Sequence, residues 1–96
     1  MELILKDIVP DTFTNASGVI LYGELRKWLM NSDRIVLSFK GSTVTSTSFL
    51  NSSFAVLIEE MGLEEFKKAI VPKAVSATQA TLLKKYVSSF SKKDAA

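Results

Sequence analysis

The sequence predicts an α/β domain with a small mixed sheet of three or four strands covered by about three helices. Three observations carry this. Apolar residues switch along the chain between a period of two and a period near 3.6. The two kinds of segment alternate, in the order β-α-β-α-β-α, which favours a sheet covered by helices. The segments are separated by clusters of Pro, Gly, Ser, Asn and Asp rather than by long linkers.

Glu2 to Val9 reads as the first strand, rich in Leu, Ile and Val and stopped by Pro10, which has no amide to give a ladder. "DTFTNASG", Asp11 to Gly18, is turn chemistry. Leu21, Leu25, Trp28 and Leu29 share one helical face, which predicts a helix from about Val19 to Met30 with Trp28 in the core and the Tyr22 hydroxyl wet. In "RIVLSFK", Arg34 to Lys40, Ile35, Leu37 and Phe39 alternate and predict a strand. Leu50, Phe54, Leu57, Ile58 and Met61 return to helical spacing, from near Ser48 to Met61, with Gly62 as its end and "LEEF" as one more turn. "KKAIVPK", Lys67 to Lys73, reads as a short strand placed at an edge by Pro72. "SATQ", Ser76 to Gln79, matches a capping box. A last helix follows with Ala80, Leu83, Val87 and Phe90 inward. Residues 1–91 form the single domain expected, and 92–96 a frayed tail.

Composition narrows the function. The 96 residues are 47% apolar and 23% charged, with a net charge of +2, so bulk electrostatics give little reason to expect nucleic acid or a membrane surface as partner. No apolar run approaches a membrane span. The first residues carry acid early and no basic region, unlike a secretory signal, so a cytoplasmic location is the default. His and Cys are both absent. That removes the commonest general base, the thiol nucleophile and most zinc ligands. Neither phosphate-cradling glycine motif occurs. No enzyme activity, cofactor or metal is expected. Glu59-Glu60 and Glu64-Glu65 are adjacent in pairs on a helix, do not face each other, and read as solvated, as do Arg26 and Lys27.

One stretch stands out. "TVTSTSFLNSSF", Thr43 to Phe54, has Ser, Thr or Asn at eight of its twelve positions. Ser46 or Thr47 can cap the helix that follows, and on that reading the other hydroxyls are ordinary loop residues. The stretch also joins the end of the central strand to a helix start, where open α/β sheets place their sites. There a phosphate on Ser46, Thr47 or Ser48 would meet the helix dipole.

The strand "VLSFKG", the turn "STSFL" and the helix "FAVLIEEMG" resemble the STAS-like family of unknown function. Its members share a strand ending in Asp-Phe-x-Gly, a Ser-x-Ser-Phe turn and a helix. The resemblance spans most of Leu3 to Phe90, and its specific part is Phe39, Gly41, Ser46, Ser48, Phe49 and Leu50. It implies a non-catalytic regulatory module, similar in outline to the anti-sigma factor antagonist domains. Such a module binds a protein partner, an ATPase of the histidine-kinase-like type, and is switched by phosphorylation. Carried over by position, Ser46 is the switch residue with Thr47 and Ser48 beside it. Thr43, Thr45, Ser46, Thr47, Ser48, Asn51 and Ser52 then belong to the partner surface. The chain departs from the pattern at its acids: Ser38, Thr45 and Asn51-Ser52 stand where the family tends to carry Asp or Asp-Glu.

Two other classes stay open. A small nucleic-acid-binding protein would use Lys84, Lys85, Lys92 and Lys93 of the last helix. An inhibitor carried by a phage or mobile element, acting by mimicry, would explain the missing acids. A bacterial or phage source fits either reading.

Overall fold

The computed structural model describes residues 1–95, with side chains described for 1–90. The tail expected over 92–96 and the domain end at 91 therefore fall outside the residues whose side chains are described. The chain runs β1 (Glu2–Ile4), α1 (Leu5–Ile8), α2 (Asn15–Leu29), β2 (Ile35–Ser38), α3 (Thr47–Asn51), α4 (Phe54–Met61), α5 (Leu63–Ala69), β3 (Ile70–Lys73) and α6 (Ala77–Ala95). The α/β class is as the sequence predicts. In detail the sheet has three strands, all parallel rather than mixed, in the order β1-β2-β3, with Leu3 opposite Leu37 and Ile35 opposite Ile70.

Sequential order has a consequence. Parallel crossovers share one hand, so both returns lie on the same face of the sheet. Accordingly α2 packs against both α3 and α4. The covered face carries Ile35, Leu37 and Ile70, all nearly or fully buried, against Leu5, Leu21, Leu25, Phe49, Leu57 and Phe66. Strand alternation puts Ile4, Val36 and Val71 on the opposite face, where Ile4 stays 38% exposed. The Lys73 ammonium reaches the Glu2 carboxylate there at 3.1 Å.

Several boundaries differ from the sequence reading. The first strand ends at Ile4, not Val9. Leu5, Ile8 and Val9 have the i, i+3, i+4 spacing of a helical turn, and burying Leu5 and Val9 together draws the chain into α1. The helix expected from Val19 starts four residues earlier, at Asn15, because Thr14 accepts a hydrogen bond from the Ser17 amide at 3.2 Å and caps it. Lys67, Lys68 and Ala69 belong to α5 rather than to the last strand. Leu63, Phe66 and Ala69 bury one helical side, and Glu64-Glu65 and Lys67-Lys68 suit the two ends of the helix dipole. Pro72 sits on an edge strand as its missing amide requires. Ala80 is exposed rather than inward, because the buried row of α6 begins with Gln79 and continues with Leu83.

The helix expected from Ser48 to Met61 is two helices. Ser53 leaves helical geometry (φ −125°, ψ −77°), and its hydroxyl donates to the Phe49 carbonyl at 2.9 Å in the interior. Such back-bonding competes with the backbone ladder and bends helices. Gly62, at φ 90°, then separates α4 from α5 in a conformation that glycine adopts without strain.

Arg26, Tyr22 and Glu60 are not simply solvated. The Tyr22 hydroxyl donates to the Glu60 carboxylate, and the Arg26 guanidinium reaches the same carboxylate at 2.8 Å, tying α2 to α4. Trp28 is half-buried and donates its indole N–H to Glu24 at 3.1 Å.

Of the four glycines, Gly18 is the one held in the closest quarters. A Cβ placed there would lie 2.5 Å from the Phe49 carbonyl oxygen and 2.7 Å from the Ser52 Cβ. Gly23, one and a half turns on, has nothing within 4 Å of a Cβ. Gly18→Ala is expected to cost about 1–3 kcal/mol by overpacking. Gly23→Ala should stabilise by about 1 kcal/mol through helix propensity. Paired denaturant unfolding curves measure both. Equal stabilisation by the two changes would show that the close contact is absent.

Candidate functional site

The stretch from Gly41 to Ser46 leaves the carboxyl end of the central strand and enters α3. It is not a loose linker. Residues 12–14 run beside it, and the Ser46 amide donates to the Thr12 carbonyl at 3.0 Å. The Thr12 and Thr43 hydroxyls lie 2.8 Å apart. The Ser46 hydroxyl donates to the Phe13 carbonyl at 2.9 Å and accepts from the Phe49 amide at 3.1 Å, so Ser46 is the N-cap of α3.

From the other side comes Gln79. Its side-chain oxygen accepts from the Thr45 amide at 3.0 Å, and its side-chain nitrogen donates to the Thr45 hydroxyl at 2.8 Å. The backbone amide can only donate, which fixes the amide orientation. Thr45 and Gln79 are 2% and 3% exposed, so both bonds are dry and strong. The Ser76 hydroxyl accepts from the Gln79 amide at 3.1 Å, as the capping-box reading predicts. The glutamine side chain, expected to reach back to Ser76, goes to Thr45 instead.

The residues singled out in the sequence divide accordingly. Thr45 does not belong to a partner surface: it is buried, with its amide and hydroxyl both committed to Gln79. Thr43 is exposed and leans on Thr12. Ser46 is half-buried with its hydroxyl used twice. Thr47 and Ser48 are exposed on the first turn of α3, and neither hydroxyl has a hydrogen-bond partner among the described residues. Asn51 is exposed and accepts from the Tyr86 hydroxyl of α6. Burial first, and then the Glu59 charge, push that hydroxyl up to about 12, so it remains a donor at neutral pH. The Ser52 hydroxyl meets the Asn15 side chain at 3.3 Å. With α3 only five residues long, the helix dipole expected to favour a phosphate here is small.

Sequence reasoning missed three contributors. Thr12 and Phe13 were hidden in a turn whose partner lies some thirty residues away. In the sequence Gln79 reads as a local cap, although its i, i+4 spacing to Leu83 puts it on the buried side of α6. The third is an apolar surround: Phe13, Val19, Ile20 and Val44 are 63%, 59%, 43% and 45% exposed. Phe13 and Val44 lie on the paired segments; on α2, Val19 follows Gly18, which meets α3, while Ile20 points about 200° round the helix from Gly18. No charged residue occurs from Thr12 to Gly23.

Asp11 anchors this side. Its carboxylate accepts from the Phe13 and Thr14 amides, each at 3.0 Å, and from the Thr14 hydroxyl. Partial loss of solvent pushes its pKa up, but those hydrogen bonds outweigh it and hold the value below the usual 3.8. Lys84 and Lys85 are exposed on α6, away from this turn, and the side chains of Lys92 and Lys93 lie outside those described. Among the described residues, no group of three or more carboxylates gathers to hold a metal, and no helix is long and apolar enough to cross a membrane.

Gln79→Ala leaves the Thr45 amide and hydroxyl buried without partners and is expected to lower stability by about 1–3 kcal/mol or more. Urea unfolding measures it, and a change near zero would mean that the bonds are not formed. Because the folded pKa of Asp11 is lowered, its contribution is present above the unfolded value and lost as pH falls through the folded one. An acid titration followed by NMR should show the Phe13 and Thr14 amides shifting together below about pH 4. Asp11→Asn should remove that transition.

Comparison with family models matches residues 17–80, about two-thirds of the chain, to the STAS-like domain of unknown function. The matched region runs from the start of α2 through the turn and β3 to the first residues of α6, and so includes both halves of the Thr45–Gln79 contact. No curated protein and no solved structure matched. On the family match and the α/β architecture together, the chain belongs to the STAS-like domain family of unknown function.

Proposed function

We propose that the chain is a non-catalytic regulatory module that binds a protein partner through Thr43, Ser46, Thr47, Ser48, Asn51 and Ser52 and the outer face of α2 beside them. One observation carries this reading. Phe13 and Val44 stand exposed on the paired segments that carry these hydroxyls, with Val19 exposed on α2 beside the Gly18 contact with α3, and the turn backbone is pinned from both sides. Scattered exposed hydrophobics mean little, but a contiguous patch rimmed by polar groups is the usual form of a protein-binding surface. A fixed backbone lowers the ordering cost of docking.

The partner class follows from the resemblance to anti-sigma factor antagonist domains: an ATPase of the histidine-kinase-like type. A phosphate would be the switch, and the hydrogen bonding favours Thr47 or Ser48 as its carrier. Phosphorylating Ser46 removes the proton that it gives to Phe13 and weakens the cap. A phosphate on Ser48 brings a charge of about −1.5 to −2 into an uncharged surface, which opposes apolar docking. The absence of His and Cys, and the use of Asp11 and Glu60 in structural contacts, favour a binding role over catalysis.

Calorimetric titration with the histidine-kinase-like ATPase from the same genome tests the reading. Saturable binding is expected, weakened about tenfold or more by Val19→Asp or Ser48→Asp at unchanged melting temperature. Incubation with ATP should add one phosphate, mapped to Thr47 or Ser48 by mass spectrometry. Binding with an unmodified turn would reject the switch and keep the module. A complex indifferent to both substitutions would reject the surface. Steeply salt-dependent binding to nucleic acid, abolished by Lys84→Gln with Lys85→Gln, would favour the second class.

A further inference from the structure

The exits of β2 and β3 part at the carboxyl end of the sheet, with an open cleft of about 410 Å³ between them. Gly41, Ser42 and Val44 line one side, and Ala74, Ser76 and Gln79 the other. Much of this lining is within reach of solvent: Gly41, Val44, Ala74 and Ser76 are all exposed. Two departures from ordinary chain chemistry meet here. The Ser42 hydroxyl is buried and has no hydrogen-bond partner, the one side-chain polar atom of which this is true among the described residues. Ala74 holds φ at 56°, the one residue other than glycine with a positive φ among the described residues. Each costs stability where it stands. Local rules broken together at one place are the mark of a site rather than of a scaffold.

The unused hydrogen-bonding capacity sets the ligand. Ser42 offers both a donor and an acceptor. The Ser76 hydroxyl accepts from the Gln79 amide, which leaves its own proton without an acceptor. Gln79 gives one side-chain proton to Thr45 and has a second to give. No charged side chain lines the cleft, and Lys6 rests against Gly41 without entering the lining. A charged group would lose its water there without gaining a counter-ion. An apolar group would leave the Ser42 hydroxyl unpaired. A carboxamide meets both conditions: it is uncharged, its oxygen takes the spare protons, and its NH₂ has the Ser42 oxygen to donate to. Thr43 and Val44 border both this cleft and the turn read above as a partner surface. We propose, resting on that reading of the turn, that the cleft is the socket of the surface and takes an Asn or Gln side chain inserted by the partner protein. At about 30 Å³ per water-sized group, the cleft holds such a side chain with the backbone that carries it. Ser42 has one side-chain torsion with three staggered positions, so its hydroxyl can turn to meet the incoming group.

Capped glutamine (N-acetyl-glutamine methylamide), titrated into the isotopically labelled chain and followed by NMR, tests the socket without the partner. Saturable shifts at Ser42, Val44, Val75, Ser76 and Gln79 are expected. Ser42→Ala should weaken binding about tenfold while holding or raising the melting temperature, since the hydroxyl it removes is buried without a partner. The absence of saturable shifts, or equal binding by capped glutamate or capped norleucine, would overturn the assignment. So would an affinity unchanged by Ser42→Ala. Free glutamine binding more tightly than the capped form would also overturn it, in favour of a small-molecule site. With no ATPase in the titration, the socket can fail while the docking surface stands, and the reverse.

Discussion

One buried amide side chain holds the turn after the central strand. Gln79 uses both of its polar ends on Thr45, a residue 34 positions away, and the pair is closed to water. That contact joins the start of the last helix to the exit of the middle strand. It acts at the carboxyl end of a parallel sheet, where three connecting segments leave their strands together. Without it, the segment from Gly41 to Ser46 would hang on Thr12 and Phe13 alone. With it, the backbone is clamped between two elements, and Val44, before Thr45, faces outward.

The order of the strands makes this clamp necessary. Three parallel strands in sequence order send every crossover over one face, so α2, α3 and α4 crowd together there. Gly18 records the crowding, with no room for a side chain against the Phe49 carbonyl. The break at Ser53 lies in the same region, and α2 packs against the helices on both sides of it. The functional reading rests on the same geometry. A turn fixed from behind, with Thr47 and Ser48 exposed in front and Phe13 and Val44 exposed on the paired segments, is a preformed surface.

Much of this was legible from residue spacing. The alternation of Ile35, Leu37 and Phe39 marked the central strand, and all three are buried. The row Leu50, Phe54, Leu57 and Ile58 marked the helical face, and all four are buried although the helix breaks at Ser53. Ser46 as cap followed from the preference of hydroxyls for that position. The family's turn motif was legible in part for the same reason: Ser46 caps α3 and Phe49 is buried, while Ser48 stays exposed. Contacts over long sequence distance were not legible. Neither Thr12 beside Thr43 nor Gln79 on Thr45 leaves a periodic trace, and a glutamine three residues after a serine has a competing local use. The early end of the first strand and the continuation of α5 through Ala69 were short helical turns next to residues that suit strands. The exposed patch was invisible because Val19 and Ile20 look like core residues until the packing side of α2 is known.

Amide hydrogen exchange at Thr45 and Ser46 tests the central claim most directly. Both amides belong to a segment that composition alone would leave open, and both are held here, by the Gln79 side chain and by the Thr12 carbonyl. The account predicts that they exchange as slowly as Leu37 in the central strand, opening only with the domain. Exchange at the rate of a free loop, with Leu37 still protected, would contradict it and leave the surface without its support.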